Sequence, residues 1–190
     1  MTDDRASISD IILIGPIGAG KTTVAELLAR WLYVPCVSLD TLAGDYFREI
    51  GFDREEQLGP DGMFASRFNV HAVRRMLEDH TDCVFDLGAG HSVYRDAESL
   101  DQVRQLLAPY PNVFLLLPSP DPDESSRLLA LRNAENDWLI RFRAESGYDP
   151  NDHFLRHPSN YVLAKHTVYT EGSSPEETAA EILHLADTAG

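Results

Sequence analysis

The sequence predicts an α/β protein: a five-stranded parallel sheet held between layers of helices. Two observations carry that expectation. Short apolar runs recur along the chain, and the longer stretches between them place apolar residues at helical spacing. Strands separated by helices pair in parallel and are covered on both faces. A chain of 190 residues is long enough to bury a sizeable core and is read as one domain, residues 1–190.

The first strand is expected at Ile11–Ile14. A helix follows the glycine-rich stretch after it, with Val24, Leu27, Leu28 and Trp31 as an i, i+3, i+4, i+7 stripe that packs on the sheet. Val37–Leu39, Val84–Leu87, Val113–Leu117 and Thr167–Tyr169 are the remaining strands. Gly51–Gly62 and Glu135–Pro158 are rich in charge, Gly, Pro and Asn, and are read as irregular mobile coverings over a site. The chain ends in a helix announced by Ser174, Pro175, Glu176 and Glu177: a cap, a proline at the first helical position and acids in the first turn. Ala180, Ile182, Leu183 and Leu185 dock it.

Sixteen basic against 31 acidic side chains give a net charge of −15. Such a field repels nucleic acid and anionic membrane surfaces, which argues against either as a partner. No apolar run approaches the ~20 residues of a membrane span, and the N-terminus lacks the order of an export signal. Cys36 and Cys83 sit beside apolar strand-like stretches and are read as buried thiols of a cytoplasmic protein.

The stretch GPIGAGKTT, Gly15 to Thr23, has the spacing of a phosphate-binding loop and the strand-to-helix setting that such a loop needs. Its glycines let consecutive N–H groups turn inward around phosphate oxygens. The expected nucleotide contacts are Gly15, Gly18, Ala19, Gly20, Lys21, Thr22 and Thr23. Lys21 supplies a point charge to the β- and γ-phosphates, and the Thr22 hydroxyl is a ligand for Mg²⁺. The next helix aims its positive end at the same phosphates. A guanine-reading Asn-Lys-x-Asp stretch is missing, and Asp86-Leu87-Gly88-Ala89 lacks the final glycine of a GTPase switch, so a compact phosphotransferase is the class that remains.

Taken in order, GPIGAGKTT, Asp40 past the second strand, Arg67 in SRF, DLGAGHSVY after the third strand and LRHPSNY before the last resemble the shikimate kinase family of small P-loop kinases, with gluconate kinases similar in outline. The resemblance implies a three-layer P-loop kinase fold with a lid at about residues 127–156, ATP and Mg²⁺ as cofactors, and a small, anionic hydroxyl-bearing acceptor. It implies that Asp40 binds the acceptor hydroxyl and takes its proton, a position that suits an N-cap of a helix near Thr41 as well. Arg67 and Arg156 would hold the acceptor's carboxylate, although Arg67 also reads as a solvated helix-face residue. Gly88, Ala89 and Gly90 form the turn that approaches the acceptor. Arg132 in the lid would stabilise the transferring charge, and Arg127 would approach the adenine.

Ser38 stands where the family carries a metal-binding Asp, and Asp86, closing CVFD, is read as its replacement or as a turn cap. His91 is read either as a group near the substrate or as an ordinary loop histidine. The rival reading is a nucleotide-binding regulatory protein that transfers nothing. The partners expected are nucleotide and small molecule, on a monomer or small homo-oligomer.

Overall fold

The computed structural model describes residues 10–52 and 66–188. The N-terminal nine residues and the part of the Gly51–Gly62 covering beyond Phe52 lie outside the described residues. Five strands form one all-parallel sheet: β1 (Ile11–Ile14), β2 (Cys36–Ser38), β3 (Val84–Asp86), β4 (Asn112–Leu117) and β5 (His166–Tyr169). Their order is β2-β3-β1-β4-β5.

Successive β1 residues face opposite layers. Ile11 and Leu13 join one apolar cluster, Ile12 and Ile14 another, and all four are buried. A strand wetted on neither face has no position for a polar residue, which is why β1 reads as an unbroken apolar run. The Ile11 and Leu13 face is covered by α1 (Lys21–Leu32) and α9 (Pro175–Thr188). The other face packs against α2 (Leu39–Glu49), α3 (Ser66–Asp79), α4 (Ala97–Leu107) and α8 (Pro158–Leu163) through Phe47, Phe68, Met76, Leu107 and Leu163. Between α4 and α8 lie α5 (Pro122–Arg132), α6 (Asp137–Ser146) and α7 (Pro150–Arg156). No helix among the described residues is long and apolar enough to cross a membrane.

The buried stripe of α1 is rotated from the expected one. It consists of Val24, Ala25, Leu28 and Ala29, with Lys21 turned inward ahead of them, while Trp31 is 40% exposed. Two alanines let the sheet and α9 approach α1 closely, and the bulkier Trp31 is left on the flank. On α9 it is Ala179 rather than Ala180 that is buried. The stretch Glu135–Pro158 is largely helical, contrary to the irregular reading. Asn136 and Asp149 cap α6 and α7 with their side chains, and Gly147, at φ +67°, ends α6. Cys83 is buried as expected, whereas Cys36, at the sheet edge, is exposed. Desolvation, reinforced by Asp86, Glu26 and Cys83, nevertheless pushes the Cys36 thiol up to about 11, so it stays protonated and unreactive near neutral pH.

The start of α9 is a reciprocal capping box. Glu177 N–H donates to Ser174 Oγ at 3.1 Å, and Ser174 N–H donates to the Glu177 carboxylate at 2.7 Å. Replacing Ser174 by Ala is expected to destabilise the protein by about 1 kcal/mol in urea unfolding, and Ser174→Gly by only a few tenths. Equal losses for the two would show that the cap contributes nothing specific.

Candidate active site

The chain leaves β1 toward β2 at one edge of the sheet and leaves β3 across β1 toward β4 on the other side. Where connections diverge in this way, the carboxyl ends of the strands open onto a crevice. Three segments converge there: the loop after β1, the start of α2 after β2, and the turn after β3.

Within the first loop, Gly15, Gly18 and Gly20 have φ of +137°, +83° and +97°. A Cβ on Gly15 would stand 2.4 Å from the Leu116 carbonyl oxygen, so only glycine lets the loop turn past β4. Gly20 caps α1 without a side-chain bond, and the first turn of α1 holds no acid. That sets α1 apart from α4, α5, α6 and α7, whose N-termini are all closed by Asp or Asn side chains. An N-terminus left without such a cap presents N–H groups and the positive end of the helix dipole to an anion. The Lys21 side chain folds back over the loop, its Nζ donating to the Pro16 carbonyl at 2.9 Å in a buried position. Burial pulls its pKa down, opposed by the carboxylates of Asp86 and Asp40.

Asp86 ends β3, in register with Leu13 of β1 on one side and Ser38 of β2 on the other. Its buried carboxylate joins two loops: Oδ2 accepts the Thr22 hydroxyl at 2.6 Å, and Oδ1 accepts Gly88 N–H at 3.0 Å. The bond to Gly88 N–H makes Asp86 the cap of the turn after β3. Both oxygens of the Thr22–Asp86 pair are hard donors at the mouth of the loop, and such donors suit Mg²⁺.

Ser38 is the N-cap of α2, so Asp40 occupies the first turn rather than the cap. Its exposed carboxylate lies against the turn after β3. A Cβ on Gly88 would stand 2.1 Å from Asp40 Oδ1, and Gly88 itself has φ +68°. The Ala89 methyl in that turn packs with Val93 and Phe154 in a small apolar cluster. Two residues on, His91 is buried with Nε2 3.4 Å from Asp40 Oδ1. That hydrogen bond, helped by the charges of His91 and Lys21, holds the Asp40 carboxyl below its ordinary range despite opposing desolvation.

The arginines are dispersed. Arg132 reaches the loop, its Nη1 donating to the Gly18 carbonyl at 3.3 Å and to Thr170 Oγ1 at 3.0 Å. It lines a cavity of about 200 Å³ with Gly18, Gly20, Thr23, Ser173 and Pro175. Arg127 is paired with Glu124 on the exposed side of α5. Arg156 is paired with both Asp123 and Asp152. Arg67 stacks on the Phe68 ring, 4.6 Å from its centroid, and lines a separate cleft of about 420 Å³ with His71, Arg74, Asp96 and Glu98. Two residues absent from the sequence reading grip the loop: Asn151 Oδ1 accepts Ile17 N–H at 2.8 Å, and Asn133 Nδ2 donates to the Ile17 carbonyl at 2.9 Å. An asparagine at a helix end reads as a cap, and nothing local in the sequence reveals a partner more than a hundred residues away.

The chain matches no protein-family model. Shikimate kinase of Enterococcus faecalis is 27% identical over 184 residues, covering 93% of this chain and 97% of the relative. Adenylate kinase of Thermobifida fusca is 30% identical over 173 residues, covering 87% and 80%. Among solved structures, shikimate kinase from Acinetobacter baumannii in complex with shikimate superposes with a TM-score of 0.64 at 22% identity, over 95% of this chain and 93% of that one. The chain belongs to the small P-loop kinases. Within them it is a divergent shikimate kinase-like member.

In this P-loop kinase, Gly88 has two reasons to be glycine: its left-handed backbone and the Asp40 carboxylate against its Cα. Gly88→Ala is expected to cost about 1–3 kcal/mol in thermal or urea unfolding and to displace Asp40. Gly90→Ala, where a Cβ meets only Phe154 at 3.9 Å, serves as the mild control. Comparable losses at the two positions would show that Asp40 does not constrain Gly88.

Proposed function

We propose that the chain transfers the γ-phosphoryl group of ATP to a hydroxyl of a small, anionic metabolite. The observation that carries this reading is the convergence of an N-terminus without a side-chain cap, a buried ammonium, a Thr22–Asp86 oxygen pair and the Asp40 carboxylate around one crevice. The phosphates sit against the loop amides and Lys21, as the positive φ values and the inward lysine favour. Thr22 and Asp86 would hold Mg²⁺, which, when bound, offsets phosphate charge and polarises the transferring group.

On the acceptor side, Asp40 orients the hydroxyl in line with the γ-phosphorus. The acceptor O–H bond breaks and its proton passes to Asp40. The oxygen bonds to phosphorus while the bridging P–O bond breaks, leaving its electron pair on ADP. Arg132, beside the loop at Gly18, stabilises the transferring charge. Of the two arginines read for the acceptor's negative group, Arg156 already carries two carboxylate partners and Arg67 lines the separate cleft beside α3 and α4. The same reading sets the chain in the cytoplasm, where Mg-ATP is supplied.

Calorimetry with Mg-ATP and Mg-GTP, followed by phosphorus NMR of an acceptor panel of shikimate, D-gluconate and AMP, tests the reading. Uptake of Mg-ATP and phosphorylation of a hydroxy acid are expected. Asp40→Asn should leave ATP affinity nearly unchanged and lower turnover by about 10²-fold or more. Lys21→Ala should abolish uptake. Folded protein that takes up neither nucleotide removes the reading, and uptake with no transfer to any acceptor favours the regulatory alternative.

A further inference from the structure

Asn69, on the inner face of α3, is 3% exposed and committed at both ends of its amide. Its Nδ2 donates to the Gly90 carbonyl at 3.1 Å, so the oxygen is the end it presents to His91, with Oδ1 3.0 Å from Nδ1. An acceptor at that distance fixes a proton on Nδ1. The ring's other nitrogen then faces Asp40 Oδ1 at 3.4 Å. A neutral imidazole would set its lone pair against those of the carboxylate, whereas a second proton between Nε2 and Oδ1 turns the contact into a charge-assisted bond. The imidazole has little freedom to turn away. It is buried, the Tyr94 hydroxyl donates to the His91 carbonyl, and the Phe47 ring centroid lies 6.0 Å from its own.

We propose that Asn69 and His91 are a positioning pair for Asp40, holding Oδ1 through a shared proton and leaving Oδ2 to the acceptor hydroxyl. The proposal rests on the kinase reading of Asp40 but not on which acceptor is used. Phosphoryl transfer through a loose transition state demands little basicity of the group that receives the hydroxyl proton and a great deal of alignment. A carboxylate that is 63% exposed would otherwise swing among rotamers, and a buried imidazole tied to α3 removes that freedom on one side. The turn after β3 thereby acts twice on the same carboxylate: Gly88 provides the space and His91 the tether. Among the described residues, groups that face the pair include Asp40 and the Phe47 ring from α2 and the neutral Asn69 from α3, while Lys21 of α1 acts on it through Asp40.

The deciding measurement is a pH titration of the Asp40 side-chain carboxyl by carbon-13 NMR in the nucleotide-free protein, with nitrogen-15 shifts of the His91 ring. In the wild type, Asp40 is expected to titrate below an ordinary aspartate and the ring to report a protonated Nδ1. Because the imidazole favours the ionised form, His91→Gln should move the Asp40 midpoint upward, so the carboxylate is lost earlier as pH falls. Asn69→Leu, which leaves the imidazole in place but releases Nδ1, should move it in the same direction and serves if the His91 variant does not fold. An Asp40 midpoint unchanged in the folded variants overturns the proposal. On the acceptor panel, His91→Gln should lower kcat about tenfold with KM within about twofold and add nothing in an Asp40→Asn background. A wild-type kcat in His91→Gln overturns the pair while leaving Asp40 in place. Full turnover in Asp40→Asn instead overturns the role given to Asp40 itself.

Discussion

The hydrogen bond from the Thr22 hydroxyl to Asp86 Oδ2 is where the sheet and the phosphate loop become one object. It exists because β1 and β3 are neighbours in register, Leu13 beside Asp86, so the strand that feeds the loop and the strand that delivers the carboxylate end at the same height. Asp86 then spends its other oxygen on Gly88 N–H, which starts the turn carrying His91. Through one buried side chain, the position of α1 fixes the turn after β3, and that turn fixes the neighbourhood of Asp40. A β3 shifted by one residue would aim Asp86 into the opposite apolar layer and leave both loops without their common anchor.

The electrostatics of the crevice run against those of the chain. At a net charge of −15 the protein as a whole repels anions, yet the loop gathers a buried ammonium, an N-terminus closed by no side chain and Arg132. Elsewhere several arginines are spent locally: Arg75 on Glu49, Glu78 and Asp79, Arg104 on Asp101, Arg127 on Glu124, and Arg156 on Asp123 and Asp152. Pairs of this kind on the surface contribute little stability, but they neutralise cations that would otherwise compete for phosphate. The cations at the loop act on an anion over a screening length of about 10 Å.

Much of this was legible in the sequence because it is local. The β1 run, the loop spacing and the Ser174 capping box each obey a rule that spans fewer than ten residues. What misled were signals whose resolution depends on distant packing. Trp31 belongs to the helical stripe by spacing, but the close approach of α9 selects the small faces of Ala25 and Ala29 instead. The Glu135–Pro158 stretch reads as loop from its polar composition, whereas its Asn136, Gly147, Asp149 and Pro150 are the start and stop signals of two short helices. At the site, Lys21 and Thr22 could be read from spacing alone. The tether on Asp40 could not, since Asn69 looks like one polar residue on a helix face until α3 is docked against the turn after β3. Arg156 illustrates the converse: a motif position suggests a free guanidinium, and two acids on α5 and α7 occupy it.

The charge balance of the crevice also bears on the order in which it fills. Lys21 lies within reach of two carboxylates, Asp86 and Asp40, both of which favour its charged form against the cost of burial. Without ligand, the ammonium is thus more than balanced by its neighbours, and an incoming phosphate chain meets an N-terminus that attracts it and two carboxylates that oppose it. His91 Nε2, 3.4 Å from Asp40 Oδ1, faces that carboxylate from the turn after β3. The hydrogen bonds of Asp86 go to a hydroxyl and an amide, and the charge within its reach is the Lys21 ammonium that it shares with Asp40. In the proposed reaction the compensating charge at Asp86 would be the divalent cation that accompanies the nucleotide, so nucleotide and metal should enter this crevice as one unit.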